Sequence, residues 1–182
     1  MKSGEKGDDR GSLLKEKNIS LILYSYDDLF SDFDPRSYSE KALSDDFLLE
    51  CKKAVHDKKE LGLELRLLVP KSKRNAVHEL QIKKRLKNHF HKHFNEKLKE
   101  RKKTIKEGIL LFFIGVILIF ISTLLYIKKG FLFNFLFVVF EPAGWFTIWT
   151  GFEKIFLAEK EKKADLEFYK KMANVTIHFY NY

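Results

Sequence analysis

Two uncharged or nearly uncharged runs stand out in an otherwise strongly polar chain. Residues 108–127 form an unbroken run without a charge, about 30 Å of α-helix, which matches the hydrocarbon core of a bilayer. Lys128, Lys129 and Gly130 interrupt it. Residues 131–152 are then apolar again, apart from polar residues such as Asn134, Thr147 and Thr150 and one ionisable residue, Glu141. The pattern predicts a helical hairpin that crosses a membrane twice, with a carboxylate near the middle of the second crossing.

Shorter patterns surround the hairpin. Residues 19–26 (ISLILYSY) are rich in aliphatic and aromatic side chains and run into Asp27 and Asp28, which predicts a strand. Ser44 followed by Asp45 and Asp46 is a helix start, and Phe47, Leu48, Cys51, Ala54 and Val55 share one face of a helix to about Lys58. Residues 63–69 (LELRLLV) predict a second strand, stopped by Pro70. Strand, helix, strand in that order favours a parallel pair. From Asn75 no proline or glycine appears until Gly108, and Ile82, Leu86, Phe90, Phe94 and Leu98 recur every fourth residue. A helix is therefore expected to run without a break into the first crossing. The second crossing continues to about Met172, and residues 174–182 predict a third strand able to join the first two.

The fold class expected is a membrane α+β protein: a two-helix transmembrane hairpin with long cytoplasmic helical extensions and a small head of a three-stranded sheet plus helix. Its segments are a disordered tail (1–18), a head (19–74 and 174–182), a basic stalk (75–107), the crossings (108–127 and 131–152) joined by a turn (128–130), and a helical extension (153–173).

Charge orients this arrangement. The 182-residue chain carries 34 Lys+Arg against 25 Asp+Glu, a net +9. Basic residues crowd both flanks of the apolar region, whereas the turn holds only Lys128 and Lys129. The positive-inside rule puts both termini in the cytoplasm, at the inner membrane of a prokaryote. Tyr126 then lies toward the outer interface, and Trp145 and Trp149 toward the inner one. The one cysteine, Cys51, excludes an intramolecular disulfide and fits a reducing compartment. Residues 1–18 lack the apolar run of a signal peptide. A head this small buries a marginal core unless the stalk or a second copy covers it, so a homo-oligomer is expected.

Three stretches give the chain a family likeness. They are Leu29-Phe30-Ser31-Asp32-Phe33-Asp34-Pro35 with Leu43-Ser44-Asp45-Asp46, the stalk segment 82–94 ending His89-Phe90-His91-Lys92-His93-Phe94, and Gly144-Trp145 with Trp149 and Glu153. On these it resembles a family of uncharacterised prokaryotic two-span membrane proteins. An Arg-Pro pair often follows the last tryptophan in that family, where this chain has Thr150-Gly151. The resemblance implies the architecture and no activity.

Glu141 is the sharpest candidate site. A carboxylate at bilayer depth faces a partner, a cavity or a pathway, and Pro142 frees a helix carbonyl beside it. The plainer account has Glu141 hydrogen-bonding the neighbouring helix through Ser122 or Thr123; the alternative places it on an ion or proton pathway in an oligomer. Lys97, Lys99, Arg101, Lys102, Lys103 and Lys106 lie beside the first crossing, where anionic headgroups are held at about 1 kcal/mol per charge. The same basic helix would suit nucleic acid, though the membrane already accounts for its charge. His89 and His93 are four apart and could share a metal with Glu96, but two such ligands fall short of a site. Asp27, Asp28, Asp32 and Asp34 lack the glycine and closing glutamate of a calcium loop and read as turn caps, with Arg36 available to pair. No phosphate loop, nucleophile elbow or CxxC appears, so neither an enzyme nor a cofactor is expected.

Overall fold

The computed structural model describes residues 18–56, 58 and 62–182, the side chains of 157–162 excepted. The tail assigned to residues 1–18 lies outside them except for Asn18. The described chain is mostly helical with one small sheet. Its elements are β1 (Asn18–Ile22), α1 (Asp45–His56), β2 (Glu64–Val69), α2 (Ala76–Tyr126), α3 (Phe131–Ala173) and β3 (Thr176–Asn181), with 3-10 turns at Tyr26–Leu29 and Lys71–Lys73. The chain divides into two compact units: one holds the sheet, together with α2 as far as Phe94 and the chain from Glu167 onward, and the other is Asn95–Leu166.

In the first unit the strands are ordered β1-β2-β3 and both pairs are parallel, with Leu67 aligned to Leu21 on one side and Phe179 on the other. The expected parallel pair is present, and the third strand joins it. β1 is shorter than the sequence pattern indicates. Ser25 and Asp28 form a capping box, in which the Ser25 hydroxyl accepts from the Asp27 amide at 3.2 Å and Asp28 accepts from the Ser25 amide at 3.2 Å. That local bonding outcompetes the ladder and rolls Tyr26 and Leu29 into the core.

Alternation along β2 puts Leu65, Leu67 and Val69 inside. On the opposite face Arg66 donates to Glu64 at 2.8 Å and Tyr180 donates to the same carboxylate at 3.0 Å. Against the inner face pack Phe47, Cys51 and Val55 of α1, with Ile82, Leu86 and Phe90 of α2 and Phe168 and Met172 of α3. The head thus takes in the first part of the stretch assigned to the stalk. Full burial of Ile82, Leu86 and Phe90 stabilises it by roughly 1.5–3 kcal/mol each. The helical stalk thus supplies the cover that a head this small needs, one of the two the sequence left open. Cys51 is wholly buried, and burial followed by the Glu50 charge pushes its thiol up to about 12, which suits a small hydrophobe rather than a nucleophile.

The start of α2 is tied to the 3-10 turn. Asn75 caps it, its Oδ1 accepting from the amides of Val77 and His78. Tyr26 accepts from the Asn75 amide and donates to Glu79, both at 2.9 Å, while Arg74 grips Glu79 with two bonds of 2.6 and 2.9 Å. Burial raises the Glu79 carboxyl, but Arg74, Tyr26 and the Lys83 charge together outweigh it and hold the group below its ordinary 4.5. A depressed carboxyl contributes stability above its unfolded value and loses it as pH falls through the folded one. Glu79→Gln should therefore lower head stability by about 1–3 kcal/mol at neutral pH. It should also reduce the acid sensitivity below about pH 4.5, as urea titrations at pH 7 and pH 3.5 would measure.

The second unit packs the apolar parts of α2 and α3 antiparallel along a seam of small residues. Gly115 faces Gly144 so closely that a Cβ on Gly115 would lie 2.7 Å from the Gly144 carbonyl oxygen and 2.6 Å from Ile148 Cγ1. Gly108 faces Gly151 in the same way, with a Cβ on Gly151 falling 2.7 Å from the Gly108 carbonyl oxygen. One heptad beyond Gly115, buried Ser122 donates to the Phe137 carbonyl at 3.4 Å. A seven-residue spacing keeps one edge of a helix against its partner, and small residues let the backbones meet. Lys154 and Glu107 pair across the two helices at 2.8 Å. The helices are joined through Gly130, whose φ of +136° is one that residues with a Cβ rarely adopt.

Candidate functional site

Between residues 108 and 152 the exterior of the second unit is mostly apolar. Of the most apolar eighteen-residue stretch in each helix only 17% and 6% is buried, where the core helix of a water-soluble fold would be mostly buried. Both helices are long and apolar enough to cross a membrane. Tyr126, Trp145 and Trp149 are all more than 60% exposed on this surface, Tyr126 resting against Phe137 with ring centroids 5.2 Å apart.

Glu141 stands on that exterior. It is exposed and makes no hydrogen bond or ion pair among the described residues. The sequence paired it with Ser122 or Thr123, and neither reaches it. Ser122 is bonded to the Phe137 carbonyl, and Thr123 donates to Ile119 of its own helix at 2.9 Å. A hydroxyl that can reach a helix carbonyl satisfies itself locally. Pro142 sits inside α3 without ending it; its ring leaves the Val138 carbonyl without the usual amide donor. Asn134, one heptad before Glu141, is likewise exposed, with no side-chain bond among the described residues.

Lys99, Lys102, Lys103 and Lys106 are exposed, and Lys97 and Arg101 half-buried. Lys97 pairs with Glu100 at 3.4 Å. The four exposed lysines leave this stretch of α2 with a cationic surface.

His89 and His93 do come together, their rings 4.3 Å apart, and His93 stacks on Tyr169 at 5.4 Å. Glu96 does not complete a metal site: no cluster of three or more His, Cys, Asp or Glu suited to a metal occurs among the described residues. The His89 Nε2 is buried without a hydrogen-bond partner. Burial, then the charges of His93, Arg85 and Lys92, push its imidazole down to about 4. Of the loop acids, Asp28 and Asp34 act as turn caps, Asp34 accepting from the Arg36 amide at 3.1 Å. Asp34 holds Arg36 at 2.7 Å and accepts from the Ala42 amide, and Asp27 accepts from Tyr38 and Lys41.

One hollow of the head was not anticipated. Lys71, Arg74, Ala76, Glu79 and Asn181 line a space of about 320 Å³. It lies beyond the carboxyl ends of β2 and β3, the edge where parallel sheets commonly receive ligands. No sequence motif marks it, because the topology alone brings Asn181 to Lys71. Arg74 within it is committed to Glu79.

Comparison with protein-family profiles, curated proteins and solved structures finds no match to this chain. What the structure defines is a mostly helical protein with two long apolar helices and a small parallel sheet.

Proposed function

We propose that this chain is a non-enzymatic integral membrane protein, its apolar helices spanning the bilayer as a hairpin and its α+β head serving on the cytoplasmic side as a sensor or scaffold. One observation carries the reading. Each of α2 and α3 gives one stretch to the core of the head and another to the glycine-seamed apolar pair. A ligand or partner that repacks the head therefore acts on the same two helices that meet in the membrane. The hollow beyond β2 and β3 is the place in the head where a polar ligand would be met. The basic residues 97–106 hold anionic headgroups at the inner surface, and the flanking charge keeps both termini inside.

The unpartnered Glu141 favours one competing function, conduction. Two spans per chain cannot enclose a pore, so that reading needs several copies around a shared path. Carbonate washing of membranes, followed by cation and proton flux through liposomes of the purified protein, separates the possibilities. The expected result is a protein that resists carbonate and leaves liposomes sealed. Release by carbonate would sink the membrane reading. Flux that a Glu141→Gln variant loses would replace the sensor with a conducting assembly.

A further inference from the structure

We propose that Asn134 and Glu141 mark a face of α3 on which a second copy of this chain docks within the membrane. The inference rests on the membrane reading and adds the partner and the residues that meet it. Asn134 and Glu141 are seven apart, so they lie on one helix face about 20° out of register. Val138 and Trp145 lie on the same face, each 63% exposed. The face is distinct from the glycine seam, whose α3 positions are Phe137, Gly144 and Gly151. Both polar side chains lack a bond among the described residues, and both point to the apolar exterior.

Hydrocarbon offers Glu141 nothing to bond, so it needs a protein partner at its own depth, and Asn134, near the outer end of the same helix, extends the polar face. A second copy supplies one by symmetry. In two chains inserted the same way, a two-fold axis along the bilayer normal brings Asn134 opposite Asn134 and Glu141 opposite Glu141. The Asn134 amide is donor and acceptor at once, and two facing Glu141 carboxyls can share a proton between them, so each group can meet its own copy. An unrelated helix would have to carry two matching groups at the same heptad spacing. Val138 and Trp145 complete the face with apolar contact, and the exposed Phe146, about 140° round the helix from Glu141, lies off it.

Association in lipid is measured by fluorescence transfer between labelled copies as the protein-to-lipid ratio is lowered. Carbonate resistance and the near-ultraviolet spectrum of the head are checked for each variant. The double variant Asn134→Leu/Glu141→Leu should stay in the membrane with a native head and associate about tenfold or more weakly. Glu141→Gln keeps a donor and an acceptor and should associate like the parent chain. In a Cys51→Ala background, Val138→Cys should cross-link between copies and Phe146→Cys should not. A membrane-integrated chain that stays monomeric overturns the proposal. So does a double variant that associates undiminished, or cross-linking at Phe146→Cys as efficient as at Val138→Cys. A chain released by carbonate fails at the earlier step, the membrane reading itself.

Discussion

Gly115→Leu should separate the two apolar helices, at a cost of about 3 kcal/mol or more to their packing. Hydropathy alone predicts the opposite sign, since leucine improves the apolarity of a span. The seam decides it: the Cβ at Gly115 would meet backbone, 2.7 Å from the Gly144 carbonyl oxygen and 2.8 Å from the Ile148 amide nitrogen. Backbone atoms cannot rotate aside, so the helices must move apart. The effect should be graded by what each glycine faces. At Gly144 the nearest atom is again a side-chain one, Ile119 Cγ1, but the facing carbonyl oxygen and amide nitrogen are both 3.1 Å away, so Gly144→Ala should be milder than Gly115→Ala. Unfolding in mixed micelles with increasing SDS, followed by Trp145 and Trp149 fluorescence, would measure both. Equal stability of Gly115→Ala and the parent chain would refute the close seam.

Lowering the pH from 6.5 toward 4 should destabilise the head, and His89 should account for much of the loss. The folded state holds this imidazole down to about 4, against an ordinary 6.5. Between those values the unfolded chain takes a proton that the folded chain refuses, so stability is present above pH 6.5 and falls as pH drops. Complete linkage would amount to about 3 kcal/mol. The ring is only part-buried, and solvent screening reduces this to on the order of 1–2 kcal/mol. Arg85, Lys92 and His93 on α2 add to the repulsion, and the Tyr169 ring of α3 stacks on His93. His89→Leu removes both the titration and a buried nitrogen that lacks a partner. Its melting temperature should stay nearly level from pH 6.5 to 5, where that of the parent chain drops by several degrees. A parallel drop in both proteins would show that His89 is not the group responsible.

The elements with a strong period were legible in the sequence. Ile82, Leu86 and Phe90 announced a helix, and they proved to be core; β2 announced itself by alternation. The early end of β1 was hidden because Ser25 and Asp28 act through backbone bonds that hydropathy does not see. The glycine seam was written in the spacing of Gly108, Gly115 and Ser122 and of Gly144 and Gly151, but a scan for charges and apolar runs passes over glycine. Glu141 was visible as an anomaly, while its lack of a partner was not, because that depends on how α3 is rotated against α2. The hollow at Lys71 and Asn181 depends on strand order, which no local pattern encodes.

The strand order also has a consequence for biosynthesis. β3 follows both apolar helices in the chain, yet it must lie along β2: Tyr180 bonds to Glu64, 116 residues earlier in the chain. In the membrane reading, it can do so only if α2 has crossed outward and α3 has crossed back. In that reading a nascent chain whose second helix fails to return strands β3 on the far side, leaving one edge of β2 unpaired. Completion of the sheet thus certifies correct insertion. A misthreaded chain then exposes an unpaired edge of β2, a mark by which quality control could recognise it.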